Sequence, residues 1–232
     1  MIPKIVHYCW FGKQKKSASI LKYINIWHEK LPDYVFKEWT EDNFDYSKYQ
    51  YAKDAYNLGK YAFVSDICRL VVLFRYGGIY LDTDIEIIGN FDLFLNYKSF
   101  IGYERANVIG TGVIGSEPGE KWIYDFLSIY ETVSFPNKRN AHVEANTVLL
   151  TRFLQKYDRF KRPIIFPYDY FCAKDWKTGN ITITKNTVCI HHYIGTWVQT
   201  PSYEIWESKF WKLFGLKNLN ILNKIIWRLK IK

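Results

Sequence analysis

At 232 residues the chain has room for one substantial core and a small appendage, but not for two full-sized domains. Nearly half the residues are hydrophobic and 19% are aromatic, with nine Trp and nineteen Tyr, a composition that excludes a largely disordered chain. The formal charge of +9 is concentrated: from position 208 onward stand Lys209, Lys212, Lys217, Lys224, Arg228, Lys230 and Lys232 without one acid, so the rest is close to balanced and a basic nucleic-acid-binding face on the core is not expected.

The chain opens with an apolar run, Ile2 to Cys9, that reads as a buried strand. It lacks the regions of a signal peptide, and no stretch reaches the length of a membrane span, which predicts a cytoplasmic protein. After the polar loop at Gly12, Ser17 can cap a helix whose Ile20, Leu21, Ile24 and Trp27 share a face and which ends before Pro32. Tyr34 to Trp39 reads as a second strand, and this β-α-β opening predicts an α/β fold with a single mainly parallel, Rossmann-like sheet flanked by helices. A helix follows over residues 61–76, stopped by Gly77, and then a strand from Ile79 through the two aspartates. Further on, strands are expected near Phe100, Ile164 and Val188, a glycine-rich stretch at 109–115, and helices over 121–130 and 145–154. Four dispersed cysteines, Cys9, Cys68, Cys172 and Cys189, have no zinc or redox spacing and read as buried thiols.

Asp82 and Asp84 stand two apart on the predicted strand and would leave one face together. Paired carboxylates repel each other, and a hard divalent cation, Mg²⁺ or Mn²⁺, removes that cost while offering a site for diphosphate oxygens. A bare D-x-D is common at strand ends, where backbone amides satisfy it. On the preceding helix Asp66 and Arg69 are three apart and share a face, as an ion pair or as contacts for sugar hydroxyls and phosphate.

The run SDICRLVVLFRYGGIYLDTD at 65–84 resembles the signature of glycosyltransferase family 32, which includes Och1-type mannosyltransferases and bacterial capsular polysaccharide transferases, and more distantly the glucosylating domains of large clostridial toxins. The opening IPKIVHYCWFG is similar to that family's first strand. The resemblance implies a GT-A fold, a nucleotide-sugar donor (UDP-sugar foremost), a glycan acceptor, Mn²⁺ or Mg²⁺, and retention of anomeric configuration. It implies that Trp10 stacks on the nucleotide base, that Asp66 and Arg69 hold the donor sugar, that Asp82 touches ribose or sugar, and that Asp84 ligates the metal. The late segment VCIHHYIGTW at 188–197 resembles the family's closing His-His patch. The resemblance implies that a late histidine three residues before a glycine completes the metal shell, a spacing that His192 fits with Gly195 while His191 would face the other way on a strand, and that Trp197 joins the donor site. Thr111 departs from the Asn common in the family, and Asn146-Thr147 can either line the pocket or serve the helix they begin. His7 reads as a satisfied core residue, and no residue announces itself as a nucleophile or general base.

The expected division is a catalytic domain over 1–205 and a basic amphipathic helical tail over 206–232. Two readings of the tail stay open: packing on the core, or peripheral contact with the inner face of the cell membrane, where the acceptor would be a polyprenyl-diphosphate-linked glycan for capsular or other surface polysaccharide. Two rival classes are a haloacid-dehalogenase-type phosphatase, which also uses a D-x-D with Mg²⁺ but on its first strand, and a basic aromatic nucleic-acid-binding domain, which the uneven charge disfavours.

Overall fold

The structure, a computed structural model, describes residues 1–136 and 143–194. The predicted tail, the boundary at 205 and Trp197 lie outside the described residues. In chain order the elements are β1 (Ile5–Cys9), α1 (Ala18–Lys30), β2 (Val35–Trp39), α2 (Gln50–Asn57), α3 (Tyr61–Tyr76), β3 (Gly78–Leu81), β4 (Ile85–Ile87), β5 (Ser99–Arg105), β6 (Val108–Ser116), α4 (Lys121–Thr132), α5 (Asn146–Lys156), β7 (Ile164–Phe166), α6 (Tyr168–Phe171) and β8 (Cys189–His191).

Ser17 caps α1 as its sequence predicts, its hydroxyl accepting from the amide of Ile20. The helix buries Ile20, Ile24 and Trp27, but Leu21 turns out to solvent, 48% exposed, because it lies outside the stripe that the 3.6-residue repeat turns toward the core. Two glycines make the turn from α3 into β3. Gly77 takes φ +63°, and a Cβ on Gly78, at φ +106°, would stand 2.6 Å from the carbonyl oxygen of Ile5, so only glycine lets β3 lie this close to β1.

Six strands form one sheet in the order β2-β1-β3-β6-β5-β7. Five run the same way and β6 runs against them, since β1 is parallel to β2 and β3, β7 is parallel to β5, and β6 is antiparallel to both β3 and β5. The predicted mainly parallel sheet is therefore present, with the glycine-rich stretch as its reversed central strand. A second, two-stranded sheet, β4 against β8, was not foreseen from sequence.

One core gathers residues of α2, α3, α4 and α5, with Leu70, Trp122, Phe126 and Leu150 wholly buried. The other holds Trp27, Phe91, Phe100 and Phe171, and full burial of rings of this size contributes roughly 2–3 kcal/mol each. The Trp27 indole N–H donates to the carbonyl of Ile85 at 2.7 Å, which ties α1 to β4. All four cysteines are buried and unpaired, as expected. Among the described residues no helix is long and apolar enough to cross a membrane.

Candidate active site

Parallel strands β1 and β3 end side by side, His7 being level with Tyr80, so Trp10 and Asp82 emerge together at their carboxyl ends. In open α/β sheets that edge is where ligands bind.

Beneath it lies a buried platform. Asp66 and Arg69 on α3 are 7% and 4% exposed, and a guanidinium nitrogen of Arg69 lies 3.1 Å from Asp66 Oδ1 and 3.3 Å from Asp82 Oδ1. The same guanidinium donates to the carbonyl of Thr111 at 2.6 Å and stands 4.5 Å from the ring centre of Tyr80. Tyr80 in turn donates to Asp82 Oδ1 at 2.9 Å. Asp66 also accepts from the amide of Asn146 at 3.0 Å, and Asn146 accepts from the Tyr130 hydroxyl at 2.9 Å. Burial pushes the Asp66 carboxyl up to about 6, with Arg69 and Asn146 pulling the other way. Arg69 stays charged: burial opposes its charge, but the carboxylates of Asp82 and Asp66 outweigh that. Asn146, open in its sequence reading, thus joins the platform through Asp66.

The two aspartates do not share a strand. β3 stops at Leu81, and Asp82, Thr83 and Asp84 form a turn in which the amide of Ile85 donates to the carbonyl of Asp82. Convergence of the carboxylates comes from this turn rather than from strand alternation. The turn delivers Asp84 to His191, whose Nε2 is 3.2 Å from Asp84 Oδ1, while the amide of Ile194 donates to Asp84 Oδ2 at 2.8 Å. Asp82, Asp84 and His191 each offer a ligand atom, all within 4.8 Å of one another.

His192, expected beside Asp84, is elsewhere. Its Nε2 lies 2.7 Å from Glu86 Oε2 and its ring stacks on Tyr23 at 4.7 Å. The register explains this, since Glu86 is paired with Ile190 across the ribbon and so shares a face with His192, whereas the turn swings Asp84 to the face of His191. Burial opposes a charge on His191, but the Asp84 carboxylate outweighs it and holds the imidazole well above its ordinary range. Burial likewise opposes ionisation of Asp84, and His191 with the Ile194 amide more than offsets it, keeping that carboxyl low.

Trp10 donates its indole N–H to the carbonyl of Gln14 at 2.6 Å, with the Lys16 ammonium 5.5 Å from its ring centre. His7 is a fully buried core residue: its Nε2 bonds the carbonyl of Gly77 at 2.8 Å, and its Nδ1 accepts from the Trp39 indole at 3.1 Å.

Sequence reading missed Glu104. It sits at the carboxyl end of β5 with its side chain 15% exposed. Burial raises its carboxyl above the usual range, and both His191 and Asp82 act on it electrostatically. Its only signal was an acid closing a strand just before a glycine-rich one.

Residues 17–101 match the family of the glycosyltransferase sugar-binding region containing the DXD motif. The chain is 29% identical over 128 residues to inositol phosphoceramide mannosyltransferase 3 of Schizosaccharomyces pombe, an alignment covering 53% of this chain and 35% of that protein. It thus spans about a third of the length of that relative. In three dimensions it is similar to the PaToxG glycosyltransferase, with a TM-score of 0.53 at 20% identity over 67% of this chain and 69% of the other. The fold is GT-A.

Proposed function

We propose that this chain, with the DXD sugar-binding region in residues 17–101, is a retaining, metal-dependent glycosyltransferase. It moves a hexose or N-acetylhexosamine from a nucleotide sugar, UDP-linked in the first instance, to a glycan acceptor. The observation that carries this reading is the convergence of Asp82, Asp84 and His191 directly above the Asp66–Arg69 platform, at the carboxyl ends of β1 and β3.

Two carboxylates and an imidazole are a hard-to-borderline donor set that suits Mn²⁺ or Mg²⁺. When bound there, such a cation would neutralise charge on a departing nucleoside diphosphate. Asp82, Asp84 and His191 would hold it. Trp10 supplies a flat apolar surface for the nucleotide base beside the strand end. Arg69 is locked by Asp66, Asp82 and the carbonyls of Thr111 and Ser65, so it keeps Asp82 oriented without rearrangement during the reaction. Asp66, fixed by Asn146 and Arg69, has the remaining acceptor capacity to bind sugar hydroxyls.

A phosphatase of the haloacid-dehalogenase type fits less well. Its nucleophilic aspartate stands on the first strand, whereas Asp82 follows the third strand.

The name of the Schizosaccharomyces pombe relative specifies mannosyl transfer and inositol phosphoceramide, a lipid. We extend the proposal accordingly to an acceptor presented at a membrane, in capsular or other surface polysaccharide synthesis on the cytoplasmic side, with the basic segment 206–232 as the peripheral anchor. Liposome flotation of the full chain against one ending at Glu207 tests the anchor, and equal flotation overturns it. The activity is tested by screening UDP- and GDP-sugars with Mn²⁺ or EDTA for release of nucleoside diphosphate. Turnover that EDTA abolishes supports the assignment, and no turnover of any donor with Mn²⁺ rejects it.

A further inference from the structure

The glycine-rich strand β6 carries two glycines two residues apart at the floor of the site, no more than about 7 Å from one another. A Cβ on Gly112 would stand 3.0 Å from Asp82 Oδ2 and 3.1 Å from His191 Cε1. A Cβ on Gly110 would stand 3.2 Å from the Cβ of Glu104. The absence of side chains at both positions lets the metal-binding pair and Glu104 approach the same short stretch of backbone.

The ladder between β5 and β6 also slips at this point. Tyr103 is opposite Ile109 and Arg105 is opposite Val108, so β5 advances two residues while β6 advances one. Glu104 is the extra residue, and such bulges re-aim side chains next to active sites. Among the described residues the salt bridge of Glu104 is to Arg105 at 3.7 Å, a loose contact for a carboxylate so well covered. Within electrostatic reach of Glu104, the Tyr193 ring stacks on His191 at 4.1 Å, held at a left-handed φ of +52° that costs a bulky residue energy. The Tyr193 hydroxyl is buried without a hydrogen-bond partner among the described residues; the nearby Cys172 thiol is a weak one. A buried donor and a covered carboxylate, both left with capacity beside the metal-binding imidazole, point to a hydroxyl-bearing ligand that serves both.

We propose that Glu104 is the acceptor-side catalytic residue, its carboxylate taking the proton of the attacking acceptor hydroxyl while Tyr193 orients that hydroxyl. The inference rests on the glycosyltransferase reading. In the step, a lone pair of the acceptor oxygen forms the bond to the anomeric carbon on the face from which the diphosphate departs, so that configuration is retained. The bond from that carbon to the donor's phosphate oxygen breaks, its electron pair leaving with the nucleoside diphosphate. The acceptor proton goes to Glu104 and from there to water.

The test compares the full-length wild type with Glu104→Gln in three measurements. These are calorimetric binding of UDP and of GDP with Mn²⁺, thermal stability, and nucleoside diphosphate release from the nucleotide sugar that the wild type turns over, with water as acceptor. The expected result is unchanged diphosphate affinity and melting temperature, with turnover lowered about 10²- to 10⁴-fold, the usual range for loss of a general base. Turnover within threefold of wild type overturns the proposal. Loss of diphosphate binding together with turnover also overturns it, because it places Glu104 on the donor side. A wild type that binds neither diphosphate and turns over no donor overturns the transferase reading itself, and this proposal with it.

Discussion

The two ends of the D-x-D belong to different kinds of structure. Asp82 is joined to the α3 platform, where Arg69, Asp66, Tyr80 and Asn146 already satisfy one another. Asp84 is joined to the β4–β8 ribbon, where His191 and the backbone amide of Ile194 are partners of its carboxylate. Buried charges that interlock in this way are costly to disturb and hold one geometry. A pair of carboxylates and an imidazole collected by a turn and a short ribbon can instead exchange each other for a cation. On the proposed reading, the platform carries stability and orientation, and the ribbon carries ligation.

The sharpest way to break this comparison is Arg69→Ala. It leaves Asp66 buried without its cation and is expected to lower unfolding free energy by about 3–5 kcal/mol, read by urea denaturation. A loss under ~1 kcal/mol would show that the platform is not interlocked.

Next is the neighbouring core imidazole. His7 is held neutral because the Trp39 indole donates to its Nδ1, and burial lowers its pKa to about 4. Its contribution is complete above its ordinary 6.5 and disappears as the pH falls toward 4, an effect of roughly 3 kcal/mol. Asp66 runs oppositely: with its folded pKa near 6, lowering the pH from 6 toward 4 favours the folded state. These two effects oppose each other over this span. His7→Gln, which lacks the first effect, should gain on the wild type as the pH drops; parallel curves for the two proteins would refute the assignment.

On the ribbon, Asp84→Asn should reduce metal-dependent turnover by at least about 100-fold. Its melting temperature should stay within a few degrees of the wild type, since no core packing is removed. A large fall in melting temperature would make Asp84 structural. The finest distinction is between the two histidines. His191→Ala should weaken Mn²⁺ binding about 10- to 100-fold in a calorimetric titration, and His192→Ala should leave it within twofold. The reverse result would restore the spacing-based choice of His192.

Much of the platform was legible because it is written in one contiguous stretch. The helix 61–76, the double glycine and the aspartates follow one another, so local periodicity and turn chemistry bring Asp66, Arg69 and Asp82 near each other without long-range information. Ser17, Gly77 and the burial of His7 were readable for the same reason. The ribbon was not, because β4 and β8 lie about a hundred residues apart and each has only three residues, too few for an alternation to declare itself. Extending β3 through Asp84 put the carboxylates on one strand face and chose His192, and the turn at 82–84 reversed that choice.

Glu104 shows the limit most plainly. An acid at the end of a strand is unremarkable in a sequence, and only the register slip with β6, the bare backbone at Gly110 and the arrival of His191 give it a place in the site. The sequence by itself determined the α/β class, the platform and the chemistry of two acids close together, since these follow from side chains at short separations. Which histidine meets the aspartates, and which third carboxylate overlooks them, was decided by tertiary structure alone, because strand pairing across long loops depends on how whole surfaces pack and not on the residues within any one segment.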